Sequence, residues 1–350
     1  MYFGKTEKTS RTRKGNELTL VGFSLRMSVP PCDENLNKFS DLQIHCRSPL
    51  SGMTNPETES RPIPQVAFDW YDEYAHGIID RRTFLNRLSS ITTTGLTMGT
   101  LLAALSPDYA KAEQVSFNDP EIKATYETFN SPEGHGECRG YLVVPSERQE
   151  KTPTVLVVHE NRGLNPYIMD VARRVAKAGY VAFAPDGLFP LGGYPGNDDE
   201  GRSMQGSMDK TKLENDFLAA ARFLKGHELS NGKIGAVGFC FGGYIVNMLA
   251  AVLGDDLNAG VPFYGTPAAK EIRKNIKAPL VIQLAELDKR VNGEWPEYET
   301  DLKQAGVDYV MHLYPGANHG FHNDSTDRYD EAQAELAWER TLACFQKHLR

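Results

Sequence analysis

The run Gly235-Ala-Val-Gly238-Phe239-Cys240-Phe241-Gly242-Gly243 constrains this chain more than any other stretch. An apolar strand enters a Gly-x-Cys-x-Gly turn, and an apolar stretch beginning at Tyr244 leaves it as a helix. This is the pattern of a nucleophile elbow, a tight and strained strand-to-helix turn that lifts one side chain above a parallel sheet. Glycines two residues to either side are needed because a Cβ there meets the turn or the neighbouring strand. Cysteine stands where serine is usual, so the candidate nucleophile is a thiol. On this motif alone the competing reading is a buried structural cysteine at a glycine-rich junction.

An elbow requires a sheet, and the pattern from Glu113 onward supplies one. Strands are expected at 140–145, 154–159, 180–185, 233–238, 259–264, 279–284 and 308–314. Helices are expected at 167–178, 212–225 and 330–348. Alternation of this kind gives a mostly parallel sheet with helices on both faces, so the expected class is α/β. With the Gly-x-Cys-x-Gly elbow set on that sheet, residues 113–350 resemble an α/β-hydrolase fold.

With 350 residues and 40% hydrophobic content the chain can bury one large core plus an appendage. A net charge of −8 without a dense basic tract argues against nucleic acid as a partner. The five cysteines (Cys32, Cys46, Cys138, Cys240, Cys344) are odd in number and lack Cys-x-x-Cys spacing, so no disulfide framework or structural zinc site follows. Neither a dinucleotide fingerprint nor a phosphate loop is present, and His319 with His322 finds no third close ligand. The reading therefore calls for no cofactor, no metal and no integral membrane domain.

Residues 1–64 are polar and repeatedly broken by proline, as in Pro30-Pro31 and Arg61-Pro-Ile-Pro64, which reads as a disordered extension. Met53 is an alternative start. Residues 65–112 read as a helical segment: Phe68-Asp-Trp-Tyr-Asp-Glu-Tyr74, then Arg81-Arg82-Thr-Phe-Leu and a weakly apolar run from Leu88 to Leu105. The paired arginines, the apolar run and Ala110-Lys-Ala112 as a cleavage site resemble a twin-arginine export signal, implying a periplasmic location. Asp80 and Asn86 depart from the usual Ser/Thr and Lys. The competing reading is an amphipathic helix packed on the main domain of a cytoplasmic protein.

A cysteine nucleophile needs a base, and the base needs an acid to orient it. In this fold they follow in the order nucleophile, acid, histidine, each in a loop after a strand. Asp288 follows the strand at 279–284 and His319 follows that at 308–314. Asp288 is preferred to Glu286, which falls directly after its strand, and His319 to His322 because it adjoins Gly320. An oxyanion would be held by the backbone N–H of Phe241, at a helix N-terminus, and that of Asn161 in the loop His159-Glu160-Asn161-Arg162-Gly163.

Residues 113–350 resemble the dienelactone hydrolase (carboxymethylenebutenolidase) family. The likeness rests on His159-Glu160 with Arg162-Gly163, Ala184-Pro-Asp186, Gly238-Phe-Cys-Phe-Gly-Gly243, Val261-Pro-Phe-Tyr-Gly265, Asp288 and His319-Gly-Phe321. The resemblance implies a hydrolase of small-molecule esters or lactones, with Cys240 as nucleophile and Asp288 and His319 as its partners. It implies Glu160 as the carboxylate that pairs with the resting thiol, so that a switch rather than a permanent thiolate is expected. Asn323 stands where the family's enol-lactone hydrolases carry a substrate-binding arginine. Arg202, in the loop 188–209 (itself a candidate lid), Arg328 and Tyr264 are the alternatives for substrate binding. The rival from another class is a non-catalytic or redox-responsive thiol protein on the same fold. The oligomeric state is not readable from these motifs.

Overall fold

The computed structural model describes residues 63–110 and 112–350. The polar extension and the alternative start at Met53 lie outside the described residues.

Eight strands form one sheet in the order β1-β2-β4-β3-β5-β6-β7-β8. They are β1 (Ile122–Ser131), β2 (Gly136–Pro145), β3 (Thr152–Val158), β4 (Val181–Pro185), β5 (Ser230–Phe239), β6 (Ala259–Phe263), β7 (Leu280–Ala285) and β8 (Tyr309–Tyr314). The β1–β2 and β2–β4 pairings are antiparallel; every other pairing is parallel. The central strands read as continuous apolar runs because both faces are covered. On β3 the alternation sorts side chains between two cores: Val155 and Val157 face the core containing α4 (Pro166–Lys177) and α10 (Glu331–Leu349). Leu156 and Val158 face the core containing α6 (Lys210–Gly226) and α7 (Phe241–Leu253).

Each expected strand and helix has a counterpart, with ends moved by a few residues. Four elements were not anticipated, one of them the single-turn helix α8 (Lys270–Arg273). Strand β1 has mostly exposed or half-exposed side chains and sits at the sheet edge, where charged residues such as Lys123 and Glu127 are tolerated. Helix α5 (Asp198–Ser207) lies within the loop expected as a lid, and Asn197 caps it by accepting from Glu200 N–H at 3.0 Å. A Cβ on Gly201 would collide with the Arg162 carbonyl, so α5 is packed against the loop after β3. Helix α9 (Lys289–Ala305) follows β7 and carries Arg290.

The segment 63–105 is three short helices, α1 (Gln65–Ala75), α2 (Arg81–Ser89) and α3 (Met98–Leu105). They share a small core of their own, including Tyr71, Tyr74, Phe84, Leu88, Leu96, Leu101 and Leu105. Asp80, anomalous for an export signal, caps α2 by accepting from the Thr83 N–H at 2.7 Å. The apolar residues expected to engage a translocon are thus buried among themselves. No helix among the described residues is long and apolar enough to cross a membrane.

Candidate active site

Cys240 sits between β5 and α7 with φ 57° and ψ −113°. Among the described residues it and Tyr264 (φ 36°) are the non-glycine residues with positive φ. Such backbone costs about 1–3 kcal/mol per residue and clusters at functional sites. The turn closes so tightly that a Cβ on Gly238 would collide with the Gly242 carbonyl, and one on Gly242 with the Val158 carbonyl of β3. These are the glycines the motif demanded. The Cys240 N–H donates to the Phe263 carbonyl at 3.0 Å, anchoring the elbow to β6. Phe241 opens α7, and the first N–H groups of a helix have no partner within it. Phe241 and Asn161 both line the cavity above Cys240, where an oxyanion would form. The Asn161 side chain meanwhile donates to the Ala75 carbonyl at 2.5 Å.

The structure brings Asp288 and His319 to the thiol. One oxygen of Asp288 accepts from the Val291 N–H at 3.1 Å, capping α9. The other lies 2.6 Å from His319 Nδ1. One carboxylate thus both caps α9 and orients the His319 ring. Glu286 does different work, accepting from the Gly316 N–H at 2.8 Å and bracing the loop that carries His319. His322 points away: its Nδ1 is 2.8 Å from the Tyr167 hydroxyl, and burial holds its pKa down at about 3. Burial raises the Asp288 carboxyl, but the charge of His319 outweighs this and leaves it below its usual value.

Glu160 is fully enclosed, and burial pushes its pKa up despite nearby Arg162. Its Oε2 accepts from Asn323 Nδ2 at 2.9 Å. Asn323, at the position expected to lack the family's arginine, is thus the partner of Glu160. The resting partner of the thiol lies elsewhere. His76 Nε2, at the C-terminal end of α1, is 3.3 Å from Cys240 Sγ. His76 Nδ1 is 2.8 Å from the Asp72 carbonyl and 3.2 Å from its carboxylate. Arg290 Nη2 lies 2.8 Å from His76 Nε2, and Arg290 Nε 3.4 Å from the Asp72 carboxylate. Burial lowers the His76 pKa, but Cys240 and Asp72 outweigh it and raise the value to about 9. Burial would raise the Cys240 thiol; His76 and His319 together hold it well below the usual range instead. The pairing expected between Glu160 and the thiol is not the one seen: Glu160 is hydrogen-bonded to Asn323, and His76 to Cys240 Sγ.

Sequence reasoning missed His76, Asp72 and Arg290. The signal was present as Asp72-x-x-x-His76, whose i, i+4 spacing places both on one helix face. It went unused because the segment was weighed as a leader.

A cavity of about 500 Å³ opens over Cys240, lined by Phe241, Tyr244, Tyr264, Met208 and Leu213, with the cations Arg202, Lys210 and Arg290 also in its lining. Arg202 and Tyr264 both line this cavity, and Arg202 also donates to the Tyr74 carbonyl at 3.3 Å and stacks on the Tyr74 ring. Arg328 is not in this cavity; it lies over the Tyr71 ring and faces a smaller cavity beside Asp72 and His319. The loop after His319 turns Arg328 toward α1. Helix α5 contributes cavity wall as a capped helix rather than as an open loop. Cys240 Sγ and ring nitrogens of His76 and His319 lie within 4.8 Å of one another, a spacing a divalent ion can bridge. The Arg290 guanidinium already brings positive charge to that nitrogen of His76, and we assign no metal there.

Residues 138–349 match the model of the dienelactone hydrolase family. Residues 55–92, which include α1 and α2, match a separate model, YqhI-like. The chain is 67% identical over 111 residues to a protein of Escherichia coli strain K12 named as a hydrolase fragment, YghX, covering 32% of this chain and 95% of that one. An Aquifex aeolicus (strain VF5) protein carrying a carboxymethylenebutenolidase name is 36% identical over 224 residues, 61% of this chain and 95% of its own. The crystal structure of a dienelactone hydrolase from Anabaena variabilis shares the fold, with a TM-score of 0.51 at 20% identity over 66% of this chain and all of that one. Sheet order, elbow and family match agree, and this chain belongs to the dienelactone hydrolase family, a hydrolase family of the α/β-hydrolase superfamily.

Proposed function

We propose that the protein hydrolyses an ester or lactone through a thioester formed on Cys240. The observation that carries this reading is one arrangement: a thiol on a strained elbow, with the Asp288–His319 pair oriented toward it and a cavity above. The Cys240 thiolate attacks the carbonyl carbon. The oxyanion is met by the N–H groups of Phe241 and Asn161, and His319, held by Asp288, protonates the leaving oxygen. In a lactone that oxygen stays tethered as the new hydroxyl. Water, deprotonated by His319, then cleaves the thioester and regenerates the thiolate.

The cations in the cavity lining favour substrates bearing a carboxylate, with Arg290 as the first candidate to meet it. Lactones and short-chain esters, with and without a second carboxylate, test the reading. Turnover is expected to vanish in Cys240→Ala and in His319→Ala. Undiminished hydrolysis by either variant contradicts it. A protein whose Cys240 serves only as a redox-responsive thiol would show no turnover with any of them.

A further inference from the structure

We infer that His76, delivered by the N-terminal helical segment, is the group that takes the thiol proton of Cys240, the part the family resemblance gave to Glu160. The inference rests on the reading of Cys240 as nucleophile and deepens it. Three observations converge. Glu160 is committed to Asn323 at 2.9 Å, whereas the side chain hydrogen-bonded to Sγ is His76, through Nε2 at 3.3 Å. His76 is oriented as a base: Nδ1 faces the Asp72 carbonyl at 2.8 Å and the Asp72 carboxylate at 3.2 Å, so the hydrogen resides on Nδ1 and Nε2 is the accepting nitrogen, shared between Arg290 and the thiol. His319, by contrast, has its Nε2 buried and unpartnered, 3.7 Å from an Asp72 oxygen. Two histidine–carboxylate pairs thus converge on one sulfur, and His76 is the one in hydrogen-bonding geometry with Sγ.

The step moves one proton. The S–H bond of Cys240 breaks, an N–H bond forms at Nε2 of His76, and a thiolate–imidazolium pair results. Every charged or titratable group facing His76 is accounted for: Asp72 on its own helix, Cys240 at the elbow, His319 in its loop and Arg290 on α9. Arg290 can only donate, so its 2.8 Å contact with Nε2 belongs to the unprotonated histidine. As the proton arrives, Arg290 must turn away from that nitrogen, and the space beside it is the cavity that Arg290 lines. His319 is left free to serve the leaving oxygen. The carboxylate of Asp72 offsets the second positive charge, and burial of that carboxyl is outweighed by His319, His76 and Arg290, which keep it ionised.

The test is the pH dependence of iodoacetamide alkylation in the full-length protein, read by peptide mapping at Cys240. Burial pushes the thiols of Cys138 and Cys344 up to about 12, so neither competes near neutrality. In the wild type the alkylation pKa should lie well below about 8.5, the free thiol's value. His76→Gln should raise it by at least one unit, slowing alkylation about tenfold at any pH below the wild-type value. Asp72→Asn should shift it in the same direction, and Glu160→Gln should not slow the reaction. Added imidazole should restore part of the rate in His76→Gly. A His76→Gln rate equal to wild type, a Glu160→Gln rate as slow as that of His76→Gln, or slow His76 variants that imidazole does not rescue would each overturn the inference. Failure of the nucleophile reading shows separately, as turnover surviving in Cys240→Ala.

Discussion

Asp288 shows how one residue can serve structure and chemistry through its two oxygens. One oxygen caps α9 and the other orients His319, so the two functions can be separated by substitution. Asparagine also caps helices well, whereas alanine costs about 1 kcal/mol at such a position. Asp288→Asn is therefore expected to melt near the wild-type temperature but lose about 10³–10⁴-fold in kcat, the magnitude associated with a misdirected histidine tautomer. Asp288→Ala should lose both. Equal stability losses in the two variants would contradict the double role. The pH dependence of the pair has a defined sign. The folded pKa of His319 is raised to about 10 because Asp72, Asp288 and Cys240 outweigh its burial, so its contribution is complete below 6.5 and is lost as pH rises through about 10. That of Asp288 is depressed, so its contribution is present above 3.8 and is lost as pH falls through the lower folded value.

At the scale of elements, the elbow was legible because its glycines answer steric demands that leave no alternative. The order Cys240, Asp288, His319 was legible because each residue follows a strand. Helix α5 was not, since Asp198-Asp-Glu-Gly-Arg carries no apolar stripe; its cap at Asn197 and its packing on the Arg162 carbonyl hold it. Nor were α1–α3 legible as part of the site. Their apolar residues satisfy one another, and a weakly apolar run preceded by paired arginines fits a leader equally well until the packing is seen. The cap core should be a lever on the chemistry at a distance. Leu88, on α2, is fully buried against α1 and α3, and Leu88→Ala is expected to destabilise the cap by about 2–5 kcal/mol. Because α1 carries Asp72 and His76, that variant should also slow Cys240 alkylation and lower kcat/KM, although Leu88 lies outside the cavity lining. Limited proteolysis would show the loosened cap; loosening without any change at Cys240 would uncouple the cap from the site.

For the molecule as a whole, the N-terminal segment is joined to the catalytic domain where the chemistry is. The Asn161 side chain holds the Ala75 carbonyl and Arg202 the Tyr74 carbonyl, while Arg290 spans from α9 to both Asp72 and His76. This sets a condition on the export reading. Cleavage after Ala112 would remove Asp72 and His76 together. We therefore propose that any export through Arg81-Arg82 retains α1. Fractionation of Arg81→Lys/Arg82→Lys, with intact mass on the located protein, is expected to show lost export and an uncleaved segment in the wild type. An unchanged location contradicts export, and a mature form beginning at Glu113 contradicts retention.

The central claim is that Cys240 carries the acyl group. Rapid acid quench of the enzyme mixed with an aryl acetate, followed by peptide mapping, tests it most directly. An acetyl group in thioester linkage on Cys240 within the first turnover, absent from Cys240→Ser at the same position as a thioester, is the predicted result. Full-rate hydrolysis with the Cys240 peptide unmodified, or with the acyl group on another residue, would contradict the account.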